Sequence, residues 1–262
     1  PATTSTIAAN ATTATVTGLS AATSYDFRLS VTGGANAGHS NTANVTTDAV
    51  PISDFASTAK TSTTATFSWT AASGATSIII EQSPAGANTW TPATTGTIAA
   101  NATTATVTGL SAATAYDFRL SVTGGANAGH SNTASVTTDT VPISDFASTA
   151  KTSTTASFSW TAASGATSII IEQSPAGLDT WTTAATGTIA ANATTATATG
   201  LSAATSYDFR LVVTGGANAG HSNTASVTTD AVPISDFVNT AKTSTTATFS
   251  WTAASGATSI II

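Results

Sequence analysis

Residues 109–122 read G-L-S-A-A-T-A-Y-D-F-R-L-S-V. From Tyr116 onward the stretch alternates: Tyr116, Phe118, Leu120 and Val122 fall on one side of an extended chain, and Asp117, Arg119 and Ser121 on the other. A helix would scatter these apolar residues around its circumference, whereas a strand gathers them on one face. The stretch recurs at 18–31 and 200–213 with only small exchanges, which places its tyrosine at Tyr25, Tyr116 and Tyr207, a period of 91 residues. Trp69, Trp160 and Trp251 keep that period, as do the V-P-I-S-D-F segments that begin at Val50, Val141 and Val232.

Outward from the tyrosine stretch, the rest of one period is also extended. Residues 63–71 alternate with Ala65, Phe67 and Trp69 on one face. Residues 77–82 carry Ile78, Ile79 and Ile80, and 88–94 is a short segment with Trp90 and Pro92. With 105–110, 130–138 and the opening 52–59, these make seven candidate strands, punctuated by S-G-A, S-P-A-G and G-G-A-N-A-G. No helical period is sustained, and the threonine-rich composition disfavours helix because β-branched side chains are stiff there. Seven short strands in about 90 residues, each with one apolar face, predict a two-sheet sandwich.

The same residues carry a resemblance. T-A-T-F-S-W-T (64–70), with its core tryptophan Trp69, resembles the second strand of a fibronectin type III domain. Leu110, six positions before Tyr116, resembles the corner that leads into the sixth strand, and G-G-A-N-A-G-H-S-N resembles the loop that follows it. The resemblance implies an all-β chain of tandem seven-stranded sandwiches. Their cores would be centred on Trp69, Trp160, Trp251 and Leu110, and the hydroxyls of Tyr25, Tyr116 and Tyr207 would bond back to upstream backbone. Where such corners usually carry a proline two residues after the leucine, this chain has Ala21, Ala112 and Ala203.

Register divides the chain unevenly. Pro1 aligns with Pro92 and Ile262 with Ile171, so the expected organisation is the latter part of a split domain at 1–49, complete domains at 50–140 and 141–231, and the first part of a split domain at 232–262. Half a sandwich cannot bury its own apolar face. The expectation is that each half is completed by a neighbouring copy, head to tail, or by continuing chain. Segments 1–91 and 92–182 differ at seven positions, among them Asn44/Ser135 and Ala87/Leu178. The joints carry Pro51, Pro142 and Pro233 and almost no linker, which predicts a stiffened array.

Composition narrows the function. Only 7% of the 262 residues are charged, and Lys and Arg together number six, against twelve Asp and Glu. A phosphate-tracking basic stripe cannot be built from six cations, which argues against nucleic acid. No apolar run approaches a membrane span, and with no cysteine there is no disulfide framework. No nucleophile–base pair, phosphate loop or metal-ligand spacing is visible, so neither enzyme chemistry nor a cofactor is expected. His39, His130 and His221 are one loop position repeated, and at domain spacing they cannot share a metal. Asp26/Arg28, Asp117/Arg119 and Asp208/Arg210 read as surface ion pairs. Asp48, Asp54, Asp139 and Asp145 flank the joints, where oxygen ligands suit Ca²⁺ but two carboxylates per joint are too few.

Asn10, Asn101, Asn192 and Asn44 each open an N-x-T tripeptide, the acceptor pattern for N-glycans, and point to an extracellular or cell-surface setting. Trp90 and Trp181, on a short edge strand, suit either sugar stacking or cover of the sandwich edge. The alternating threonines of 104–108 also fit an ice-binding array, although any solvent-facing strand of this composition shows them. The leading expectation is a structural subunit of an extracellular filament, fibre or sheath that associates with itself. The alternative is a stalk, spacer or carbohydrate-binding accessory module that contacts surface glycans.

Overall fold

The computed structural model describes residues 3–254 and 256–262. All of its regular elements are strands. The chain divides into two compact units, Pro1–Val141 and Pro142–Ile262. Each unit contains one complete sandwich and one open half.

In the first complete sandwich, Ala56–Lys60, Ala65–Ser68 and Thr104–Val107 form a three-stranded sheet with Ala65–Ser68 in the centre. Facing it, Ser77–Pro84 and Ala115–Thr123 pair antiparallel along eight residues, with Leu120 opposite Ile80. Thr91–Pro92 flanks Ser77–Pro84, and Ala134–Thr137 pairs the first half of Ala115–Thr123. The second unit repeats this arrangement with Ser168–Pro175 against Ser206–Thr214.

Alternation sorts the side chains as expected. Phe67, Phe118 and Leu120 are fully buried, with Phe55, Ile78, Ile80, Val107 and Val122 around them. Phe55 stacks on Phe67 at 4.8 Å, and Phe67 meets Phe118 at the same separation. Each fully buried Phe or Leu contributes about 1.5–3 kcal/mol, so this ring cluster is the main source of cohesion. Trp69 and Trp160 lie in the two cores at 4% exposure, and Leu110 is buried at 5%. Trp251 is only half-buried, because the residues that would cover it in a full sandwich are not around it.

Two strands differ from the sequence expectation for one shared reason. The opening strand begins at Ala56 instead of 52, and the stretch 130–138 breaks into Gly129–His130 and Ala134–Thr137. Asn132 sits in that break. Its side chain accepts from the Phe55 N–H (3.0 Å) and donates to the Phe55 carbonyl (2.8 Å). A side chain that takes both backbone groups of Phe55 replaces the ladder there. The short segment expected at 88–94 shrinks to Thr91–Pro92, because Asn88 turns the chain at a φ of 53°.

Each tyrosine stands at the corner, half-buried, and its hydroxyl accepts from the backbone N–H five residues upstream: Tyr25 from Ser20 (2.9 Å), Tyr116 from Ser111 (3.1 Å) and Tyr207 from Ser202 (3.0 Å). Beside this corner Thr138 is buried and doubly engaged, donating to the Ser111 carbonyl at 2.6 Å and accepting from the Thr114 N–H at 3.0 Å. Burying that hydroxyl is tolerable because both of its roles are filled.

Candidate functional site

The most distinctive surface of each unit is an open sandwich half. In the first unit, Ser24–Phe27 pairs Ala43–Thr46, Ser30–Val31 pairs Gly38–His39, and Thr3–Thr4 pairs Val16–Thr17. The counterpart of the nine-residue strand Ala115–Thr123 is thus broken into two short pieces. In the complete repeat, Ser77–Pro84 templates that strand along its length; here no strand among the described residues lies on that edge. Leu29 is 59% exposed where its counterpart Leu120 is fully buried, and Val31 and Val45 are exposed where Val122 and Val136 are buried. Val16, Phe27, Leu29 and Ala43 line a groove of about 610 Å³, with Arg28 on its wall.

The second unit ends in the opposite half. Val238–Lys242 pairs Ala247–Ser250, and Phe237 stacks on Phe249 and meets Trp251 at a tilt, as in a complete core. No opposing sheet among the described residues covers them. Phe237 is 49% exposed against 2% for Phe146, and Ile262 is 77% exposed against 0% for Ile171. Ile234, Phe237, Trp251, Ile260 and Ile262 surround a groove of about 400 Å³. Residues 259–262 form no strand. The equivalent isoleucines become a strand only when they pair with Ala115–Thr123 or Ser206–Thr214. The two halves are complementary: one lacks the sheet face that the other presents.

The polar side chains expected to pair along one strand do not. Arg119 donates from Nε to Glu81 on the adjacent strand at 2.7 Å, and its guanidinium lies 4.3 Å from the Trp90 ring centroid. Arg210 does the same with Glu172 (2.8 Å) and Trp181 (4.2 Å). The cross-strand register sets Arg119 opposite Glu81, which brings opposite charges closer than a spacing of two along one strand can. Asp117 instead accepts from the Gly86 N–H at 2.7 Å and the Ser135 hydroxyl at 2.6 Å, and these bonds hold its carboxyl below the usual carboxylate range. One face of each of Trp90 and Trp181 is therefore taken by arginine and closed to a sugar ring.

His130 is half-exposed at the end of its short strand, its Nδ1 3.6 Å from Glu81. Asp54 and Asp145 accept from the hydroxyl and N–H of Thr70 and Thr161, and Asp139 pairs with Lys60 at 3.2 Å. These carboxylates are engaged within their own repeats, and among the described residues no three His, Asp or Glu side chains converge on a metal position. Asn10, Asn101 and Asn192 sit exposed in equivalent turns. Asn44 is exposed on a strand, and its tripeptide threonine, Thr46, bonds the Ser24 hydroxyl at 2.8 Å. Sequence reasoning passed over Asn132; an Asn that interrupts an otherwise alternating strand was the available signal.

Residues 50–138 match the fibronectin type III domain family. No curated protein matches the chain. Among solved structures, a two-domain fibronectin type III segment of chicken tenascin is similar at 19% identity, covering 67% of this chain and 97% of that one with a TM-score of 0.49. The FN1–FN3 domains of chicken contactin are similar at 16% identity, covering 79% and 76%, with a TM-score of 0.33. No helix among the described residues is long and apolar enough to cross a membrane.

Proposed function

Since the chain is built of tandem fibronectin type III domains, modules that are generally non-catalytic and commonly serve as structural or spacer units of extracellular proteins, we propose that it is a segment of a repetitive extracellular fibre, filament or sheath. The observation that carries this reading is the pair of complementary open halves. A sandwich face with Leu29 and Val31 in water, or with Phe237 and Ile262 in water, is a liability that folded proteins cover. The matching half of another repeat covers it with the same residues that close the complete domains, whether it arrives on a second copy or on continuing chain. A contact of this heterologous kind propagates as an open array unless its rotation closes a ring.

Near-identity of the repeats supports a structural role, because a ligand site needs only one copy. The hydroxyl-rich, charge-poor surface and the four exposed acceptor asparagines support an extracellular setting. Negative-stain microscopy of the native material, with denaturing electrophoresis of the same sample, tests the proposal. Fibres that dissociate to a band near 25.6 kDa mean that copies complete one another, and fibres that run as one very large band mean a single covalent array. Short rods with frayed ends would defeat the fibre reading in favour of a spacer. N-glycosylation predicts a loss of mass on enzymatic release of N-glycans, from which a chain carrying Asn10→Gln, Asn44→Gln, Asn101→Gln and Asn192→Gln is exempt.

A further inference from the structure

The two complete domains differ at one edge of their larger sheets. In the first, Thr91–Pro92 lies against Ser77–Pro84; in the second, Thr182–Thr183 lies against Ser168–Pro175 in the same register, so Thr183 stands where the first has Pro92. The Ala93 N–H bonds to the Ile80 carbonyl at 2.8 Å, and the Ala184 N–H to the Ile171 carbonyl at 2.9 Å. An antiparallel ladder bonds every second residue of a strand, so the residue just before each of these alanines turns its own backbone groups away from the sheet. Pro92 therefore leaves its ladder intact and offers no N–H beyond the edge. Thr183 is exposed and offers both an N–H and a carbonyl there. Its segment, T-W-T-T-A-A-T at 180–186, has neither a charge nor a proline. The turn into that segment changes as well: Leu178, 64% exposed, replaces Ala87.

From these differences we propose that the edge around Thr183 is a lateral pairing site for a second copy of this chain, and that Pro92 closes the same site in the first domain. A second copy is the occupant that the edge itself specifies. Two identical edges that meet antiparallel about a twofold axis set Thr183 opposite its own counterpart. Each then donates to and accepts from the other, which satisfies both outward groups. A charged edge would repel its own copy, but this one is uncharged. Glu172, beside Thr183 on the inner strand, is already neutralised by Arg210 at 2.8 Å. Proline on an edge strand blocks pairing of this kind, and its replacement by threonine opens the site. The contact is short and weak alone, but along a fibre every copy would repeat it, so that neighbouring fibres gather side by side. The pairing stands apart from the fibre reading, because it uses only residues inside a complete domain.

The test uses the full chain, which has no cysteine of its own. Opposed residues of a bonded pair sit about 5.5 Å apart at Cα, within reach of a disulfide. Thr183→Cys, oxidised in dilute solution, should therefore give a linked band at twice 25.6 kDa. That band should be at least tenfold stronger than with Ala190→Cys, an exposed position off this edge. Sedimentation velocity should show self-association weakened at least tenfold by Thr183→Pro and strengthened by Pro92→Thr. Thr183→Pro installs the residue that the first domain already accommodates at this position, so the fold is expected to hold. Equal cross-linking at 183 and 190, or self-association unchanged in Thr183→Pro, overturns the pairing and leaves the fibre reading standing. Fibres that stay long but no longer bundle in Thr183→Pro support both. Strong cross-linking of Thr183→Cys in material that forms no fibres supports the pairing and defeats the fibre reading.

Discussion

Ala113 and Ala204 hold φ values of 48° and 47°, in the left-handed region that a Cβ disfavours. The Ala113 N–H bonds to the Asp139 carbonyl at 3.0 Å, so the corner fixes this conformation despite the strain. Ala113→Gly should therefore stabilise its domain by about 1 kcal/mol, read as a raised midpoint in chemical denaturation. Gly125 shows the reverse. A Cβ there would stand 2.1 Å from the Ser73 carbonyl oxygen, and Gly125→Ala should cost more than about 2 kcal/mol. Acid should weaken the fold through Asp54, Asp117, Asp145 and Asp208. Donated hydrogen bonds, chiefly from the hydroxyls of Thr70, Thr161 and Ser226 and the Gly86 N–H, lower each pKa below 3.8. A carboxyl whose pKa is lower folded than unfolded stabilises fully above the unfolded value, and that stabilisation is lost as pH falls through the folded one. Stability should thus be flat from neutral down to about pH 5 and decline below about pH 4. Asp54→Asn should shallow that decline; an unchanged acid limb would show that the aspartates are not its cause.

The strands show what the sequence made legible. The face of Ala115–Thr123 was readable because Tyr116, Phe118, Leu120 and Val122 alternate without interruption, and burial enforces that alternation. Where side chains bond to backbone, alternation is silent: Asn132 shortens two strands, and Asn88 shortens a third, with no apolar pattern to announce either. The partners of Arg119 were missed because ion pairing across strands depends on register, which a single strand does not carry. The groove around Leu29 follows from the period, but the break between Ser24–Phe27 and Ser30–Val31 required the structure. Hydrogen exchange should separate the two settings. Backbone amides of 119–122 should be protected at least a hundredfold more than those of 28–31, since only the former lie in a strand paired along its length. Equal protection would mean that the open half is already covered in solution.

At the scale of the molecule, near-identity of repeats means that a strand from one fits its neighbour as well as its own. Refolding from denaturant should give a fraction of intermolecularly swapped species that rises with protein concentration, seen by size exclusion. Each complete domain also has a built-in direction. The Val50 N–H bonds to the Ala126 carbonyl beyond one end of the Ala115–Thr123 strand, and the Asp139 carbonyl meets Ala113 beyond the other. Tension along the chain would enter at Val50 and leave at Asp139. Between those points Asn132 grips both backbone groups of Phe55, and Lys60 grips Thr137 and Asp139. Pulled from its ends, the domain would load these clasps in shear, all together instead of one after another. Each repeat is then a fuse: it holds as a unit, yields as a unit, and releases on the order of 300 Å of slack for its 91 residues before it can close again.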